Sequence, residues 1–290
     1  MTENNFPFLI AEIGCNHKGD FKTALEMIKV CSLFCEADVI KFQKRDNKTL
    51  LSENEYNSPH PNPENSYGDS YGKHREFLEF DIEQHKKLKK ECFKYKKIYS
   101  TSVWDEVSAA EIVKIKPSLI KIPSAINNNL DVIDYLFKNY TGDVHISLGM
   151  TTKKEENDII SCALKNNANK RLILYHCISG YPVEDKDLCL KEIKRLKKDY
   201  NDVIKGIGFS GHHKGIAADI AALAYGATFF ERHFTLDRTW KGTDHAASLE
   251  PDGLRRLNRN LKSIFEALGE KKEEITNVEL EQRKKLKFKK

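Results

Sequence analysis

Residues 98–123 read IYSTSVWDEVSAAEIVKIKPSLIKIP. A short β-prone run, 98–103, is followed by an amphipathic stretch, 105–115, and by a second apolar run, 119–123. A helix-length segment between two short apolar runs predicts a strand–helix–strand unit with parallel strands. The same beat continues on both sides. Toward the C-terminus it predicts helices at 130–139, 153–166, 187–200, 215–225 and 251–268, with strands at 144–148, 171–177, 204–209 and 228–234. Toward the N-terminus it predicts a helix at 82–95, a strand at 38–43, a helix at 21–35 and a strand at 6–13.

The eight strand–helix units fit an α/β chain closed as a (β/α)8 TIM barrel, a single domain over residues 1–270 with a basic tail at 271–290. An open doubly wound sheet is the alternative, but its Gly-x-Gly-x-x-Gly turn after the first strand is absent. One interval breaks the beat. Residues 44–80 are polar, hold five prolines or glycines and two histidines, and are too long for a plain connection, which marks them as functional.

Composition narrows the function classes. With 290 residues, 40% hydrophobic and 31% charged, the chain can bury a large core and needs no disulfide or metal to fold. The net charge of +5 is a small excess, partly in the tail, so neither a nucleic-acid nor a membrane partner is expected. Seven scattered cysteines without Cys-x-x-Cys spacing, no long apolar run and no signal-peptide pattern indicate a reduced, cytoplasmic protein.

In a closed barrel, chemistry sits at the C-terminal ends of the strands. Those ends are Glu12; Lys41 and Gln43; Ser100, Thr101 and Ser102; Lys121 and Ser124; Ser147; His176, Ser179 and Tyr181; Ser210 and His212; and Glu231 and His233. Asp237, Asp244 and His245 follow on the last loop. A lysine inside an apolar strand needs a partner or a rim to reach. Lys41 and Lys121, ringed by hydroxyls, suit an anion carrying phosphate and carboxylate. A rival reading makes Lys41 or Lys121 a Schiff-base nucleophile, and the histidine pair below argues against it. His212 and His233 end neighbouring strands and form a candidate half-site for a divalent metal, with His213 beside them expected to be exposed. Glu12 and Asp244 are candidates for acid–base work or for positioning water.

Several segments together resemble the sialic acid synthase family. They include AEIGCNH (11–17), KFQK (41–44), YGKHREFLEF (71–80), KIPS (121–124), SLGM (147–150), HCISGYP (176–182), GFSGH (208–212), ERHFTLDR (231–238) and TWKGTDHAASLEP (239–251). The resemblance covers about residues 6–275. It implies condensation of phosphoenolpyruvate with an N-acylated hexosamine aldehyde such as N-acetylmannosamine, giving a sialic acid-type nonulosonate and phosphate. By matching positions it implies Mn2+ or Mg2+ on His212 and His233, and phosphoenolpyruvate on Lys41, Lys121, Thr101, Ser124, Ser147 and Ser210. It places the sugar on Gln43, Tyr181 and Asp244, with Ser179 where some members carry asparagine, and it matches Glu12 to the first-strand glutamate. In the implied reaction C3 of phosphoenolpyruvate attacks the aldehyde carbon, water adds at C2, and phosphate leaves by C–O cleavage.

The chain also departs from that pattern. The usual acidic residue two positions after Ser124 is Ile126 here, which leaves Asn127 or Asn128 as stand-ins. The family's C-terminal antifreeze-like domain, which completes a homodimer, is not matched within these residues. Residues 71–80 and 239–251 look closer to the synthases that take a 6-phosphorylated sugar, and His74, Arg75 and Lys241 are then candidates for a second phosphate. A Schiff-base aldolase and a barrel without catalysis are the competing readings.

Overall fold

The computed structural model describes residues 7–288, so Phe6 of the expected first strand and the last two lysines of the tail lie outside the described residues. The sheet is a closed barrel of eight parallel strands in chain order: β1 Phe8–Gly14, β2 Val39–Lys44, β3 Ile98–Val103, β4 Leu119–Ile122, β5 Asp143–Ser147, β6 Leu172–Cys177, β7 Gly206–Gly211 and β8 Phe229–His233. The helices are α1 Phe21–Leu33, α2 Asn47–Leu50, α3 Glu53–Asn57, α4 Tyr71–Leu78, α5 Ile82–Lys94 and α6 Glu106–Ile115. They continue with α7 Leu130–Asn139, α8 Lys153–Lys165, α9 Lys191–Tyr200, α10 Ala217–Ala224, α11 Pro251–Ala267 and α12 Asn277–Leu286. Among the described residues no helix is long and apolar enough to cross a membrane.

Local chemistry sets the boundaries. Asp20, Asp81, Asp105 and Thr152 cap α1, α5, α6 and α8 by accepting hydrogen bonds from first-turn backbone N–H groups. β4 stops at Ile122, one residue earlier than expected, where Pro123 has no N–H to continue the ladder. α9 starts at Lys191, not at residue 187, because residues 185–187 form a separate turn and Cys189 adopts a left-handed conformation.

The apolar core lies mainly between the sheet's outer face and the helices. A smaller cluster fills the barrel's interior at its N-terminal end with Ile10, Val39, Leu119, Ile173 and Phe229, and the Tyr175 ring packs on it from the layer above. The polar interval between β2 and α5 folds as α2, α3, α4 and their turns. It reaches the loop after β8 through Tyr67 O–H, which donates to Lys241 O, and through Gly242 N–H, which donates to Asn65 Oδ1 at 3.3 Å.

Candidate active site

Strand register decides which side chains meet. Lys41 pairs with Ser100 and Gln43 with Ser102, so Lys41, Gln43, Ser100 and Ser102 share the interior face, while Phe42 and Thr101 share the outer one. Thr101, expected to bind phosphoenolpyruvate, is therefore turned toward the helix layer, and Ser102 takes its place in the interior. Lys41 Nζ donates to Ser102 Oγ at 2.8 Å.

Four buried charges interlock just above the apolar floor. Lys41 Nζ lies 2.6 Å from Glu12 Oε2 and 3.6 Å from Glu231 Oε2. Lys121 Nζ donates to both Glu231 oxygens, at 2.9 and 3.0 Å, and stands 4.6 Å from the centroid of the Tyr175 ring. The Tyr175 hydroxyl is in turn 2.7 Å from His145 Nδ1. Ser210 Oγ donates to Glu231 Oε1 at 3.3 Å, and Gln43 Nε2 to Glu12 Oε1 at 3.4 Å. Glu231 is thus the carboxylate that both lysines share. From sequence it is only a polar residue of the eighth strand, because its charge partners come from β2 and β4.

Burial treats the two carboxyls differently. It raises Glu12 to about 7 against the pull of Lys41. Burial would raise Glu231 too, but Lys121 and Lys41 outweigh it and hold that carboxyl well below the usual range. Lys41 is held above its ordinary value, with Glu12 and Glu231 overcoming the burial that opposes the charge. For Lys121 burial prevails over Glu231 and the shift is downward.

The mouth above these charges is a cavity of about 530 Å3. Gln43, Ser124, Ser147, Ser179, Tyr181, Ser210, His212, His233 and Asp244 all line it, together with Glu12, Lys41 and Lys121. Every expected site residue except Thr101 is brought together there. Ser124 Oγ accepts from Gly149 N–H at 3.1 Å, and a Cβ on Gly149 would collide with the hydroxyls of Ser124 and Ser179, so glycine is required at that approach. The Tyr181 ring packs on His212 with centroids 4.4 Å apart. Asn16 Nδ2 donates to Phe234 O at 2.8 Å and to Ser248 Oγ at 2.9 Å, and Ser248 Oγ donates to Asp244 O at 2.7 Å. These bonds tie the loop carrying Asp244 to the end of β1.

The His212 and His233 rings have centroids 5.4 Å apart. Burial lowers both to about 3, and Lys41 adds to it at His233. Both imidazoles are therefore neutral at pH 7, the form that ligates metal. His233 Nδ1 is buried without a hydrogen-bond partner and lies 3.9 Å from Asp244 Oδ2. Two neutral imidazoles, one with a free nitrogen, have the chemistry of a half-site for a divalent cation. Among the described residues no group of three or more His, Cys, Asp or Glu side chains is arranged to hold a metal ion, so the histidines stand as a pair. The pair would leave positions for water and substrate, as catalytic sites do.

The outer wall comes from the interval between β2 and α5. Arg45 Nε donates to Glu79 Oε1 at 2.7 Å, and its guanidinium lies 5.2 Å from the Trp104 ring. Arg75 lies 5.7 Å from the same ring and donates through Nη2 to the Tyr71 hydroxyl at 2.6 Å, while its Nη1 is buried without a partner. Arg45 carried no sequence signal, because its position is set by Glu79, 34 residues away. His74 is not a phosphate cation here. It is buried, pushed down to about 4, and its Nδ1 accepts from Tyr67 N–H at 3.1 Å. Asn127 cannot replace the missing acid either, since its amide donates to Ser147 O at 2.8 Å and to Gly149 O at 3.3 Å. Asn128 is exposed and outside the cavity lining, Ile126 is buried in the core, and Ala125 lines the cavity instead.

The NeuB family model matches residues 27–273. The chain belongs to the NeuB family. It is 35% identical over 278 residues to the N-acetylneuraminate-9-phosphate synthase of Homo sapiens, covering 94% of this chain and 74% of that one. It is 32% identical over 264 residues to the N,N'-diacetyllegionaminic acid synthase of Campylobacter jejuni, covering 90% and 77%. The solved N-acetylneuraminic acid (sialic acid) synthetase of Leptospira borgpetersenii superposes with a TM-score of 0.83 at 29% identity, covering 99% of this chain and 94% of that one. The chain is thus an enzyme of the phosphoenolpyruvate-condensing nonulosonic acid synthase class, a NeuB enzyme in a class that is generally metal-dependent.

Proposed function

We propose that this NeuB enzyme condenses phosphoenolpyruvate with an N-acylated hexosamine aldehyde to give a sialic acid-type nonulosonate and phosphate. The observation that carries this reading is the convergence of Lys41 and Lys121 beneath a neutral histidine pair in one cavity. The two ammoniums bind the carboxylate and phosphate of phosphoenolpyruvate, with Ser102, Ser124, Ser147 and Ser210 supplying hydroxyls around them. His212 and His233 would hold a divalent Mn2+ or Mg2+, which would supply Lewis-acid polarisation of the aldehyde.

C3 of phosphoenolpyruvate forms the new bond to the aldehyde carbon, and water adds at C2. The former aldehyde oxygen takes up the proton that the water gives up and becomes the new hydroxyl; the tetrahedral centre then expels phosphate by C–O cleavage, its C2 hydroxyl proton leaving with the phosphate as the ketone forms. Glu12, held near neutrality, accepts the proton of the attacking water. Gln43, Tyr181, Asp244 and Ser179 orient the sugar. Residues 1–270 form the catalytic unit and residues 271–290 an appended tail.

A second reading, in which the aldehyde carries a 6-phosphate, is favoured by one observation. Arg75 Nη1 is buried without a partner on the cavity wall, beside Arg45.

The test is phosphate release from phosphoenolpyruvate with Mn2+, run with N-acetylmannosamine, its 6-phosphate and a diacetamido hexose, each with and without chelator. Chelator-sensitive release with a sugar is expected. No phosphate release, with condensation from pyruvate that ignores chelator and borohydride trapping at Lys41 or Lys121, would instead establish a Schiff-base aldolase.

A further inference from the structure

The ladder between β7 and β8 ends at the pair Gly211–Arg232, one residue short of both imidazoles. His233 is still held on its other side, where it pairs with Glu12 of β1. His212 lies beyond the end of β7. Its carbonyl accepts from Val183 N–H at 3.1 Å, but no rung joins it to β8.

A buried ionic cluster spans that gap from the outer side of the barrel. Arg232, Asp219 and His213 are 1%, 0% and 1% exposed, so His213 is not the surface residue expected from sequence. Arg232 Nη2 donates to His213 O at 2.7 Å. Arg232 Nη1 donates to Gly215 O at 2.9 Å and to the Asp219 carboxylate. His213 Nε2 lies 3.1 Å from Arg232 Nη1 and 3.2 Å from Asp219 Oδ2, so the imidazole packs against both members of the ion pair. One guanidinium, fixed by a carboxylate from α10, therefore grips the chain one and three residues past His212. That guanidinium belongs to the residue just before His233.

An ionic cluster buried this deeply is a poor source of stability, because apolar residues of equal volume often do as well or better. A rigid planar fork with two carbonyl acceptors supplies direction instead. Resting on the reading of His212 and His233 as a metal half-site, we propose that Asp219, Arg232 and His213 act as positioning residues. They fix His212 against His233 and so set the affinity of the pair for a divalent cation.

The test uses the full chain and Mn2+ alone, with free Mn2+ read by electron paramagnetic resonance and folding followed by circular dichroism. Arg232→Lys keeps a charge for Asp219 but cannot hold both carbonyls, and should weaken Mn2+ binding about 10- to 100-fold, the range for outer-shell partners of metal ligands. His213→Gln keeps a polar side chain against Arg232 and Asp219 and should retain wild-type affinity, whereas His213→Leu should weaken Mn2+ binding. If Arg232→Lys does not fold, the His213 pair decides alone. Folded Arg232→Lys with wild-type affinity would overturn the proposal, as would equal affinities of His213→Gln and His213→Leu. If wild type binds Mn2+ no better than a His212→Ala/His233→Ala variant, the metal reading itself fails and takes this role with it.

Discussion

At the N-terminal end of the barrel the interior is filled by Ile10, Val39, Leu119, Ile173 and Phe229. Two residues further along the same strands the interior positions are Glu12, Lys41, Lys121, Tyr175 and Glu231. Both layers are almost completely buried. The lower layer is favourable on its own terms, since each large apolar side chain withdrawn from water contributes roughly 1.5–3 kcal/mol. The upper layer must overcome desolvation, and does so only because every charge has a partner within reach. Burial is therefore not what separates a structural layer from a functional one. The separation lies in whether each residue's partner must come from another strand.

The largest expected effect comes from breaking the upper layer. Lys121→Met leaves Glu231 with Lys41 at 3.6 Å as its remaining ammonium. Phosphate release should fall by about 10^2–10^3-fold, the scale of losing one preorganised electrostatic contact. Urea denaturation should show a loss on the order of 3–5 kcal/mol, typical of stranding a buried charge.

Adding Glu231→Leu to that variant sharpens the contrast. Stability should return to the wild-type level or above it, while phosphate release stays lost. Recovered activity would mean that the charged layer serves the fold alone.

The lower layer should behave in the opposite way. Ile173→Ala, in the floor cluster, should cost about 2–5 kcal/mol by leaving a cavity, with kcat/KM per folded molecule unchanged. A large drop in kcat/KM at full folding would erase the distinction between the layers.

The smallest effect belongs outside the barrel. Glu156 on α8 accepts from Arg195 of α9 at 2.8 and 3.0 Å. Burial pushes its carboxyl up, but Arg195, Lys153 and Tyr200 outweigh it and the net shift is downward from 4.5. A folded-state value below the unfolded one stabilises fully above pH 4.5, and that contribution disappears as pH falls through the lowered value. The melting temperature of Glu156→Gln should therefore lie slightly below wild type at pH 7, and the gap should close under acid. A gap that widens under acid would contradict the ion pair.

Two kinds of site residue differed in how readable they were. Lys41 and Lys121 stand out because a lysine between apolar neighbours has no place against the helix layer. Ser100, Thr101 and Ser102 could not be sorted, because a polar run has no apolar member to mark the outer face. The register of Phe42 with Thr101 turned Thr101 outward. In Phe-Phe-Glu-Arg-His the charges at 231 and 232 go to opposite faces, and only Lys121 on one side and Asp219 on the other decide which goes where. His213 looked like loop because its partners are the same Asp219 and Arg232.

The sequence alone determined the number and order of the strands, the barrel closure they call for, and the strand ends where chemistry collects. Those features follow from periodicity and from the price of placing a charge in an apolar run, both local properties of the chain. Only the tertiary structure decided that Glu231 is shared by both lysines, that Ser102 stands where Thr101 was expected, and that Arg75 faces the cavity with a free nitrogen. It also decided that Arg232 clamps the chain beyond His212. Each of these depends on strand register or on a partner many residues away, and the energy of such a contact exists only once the barrel has closed.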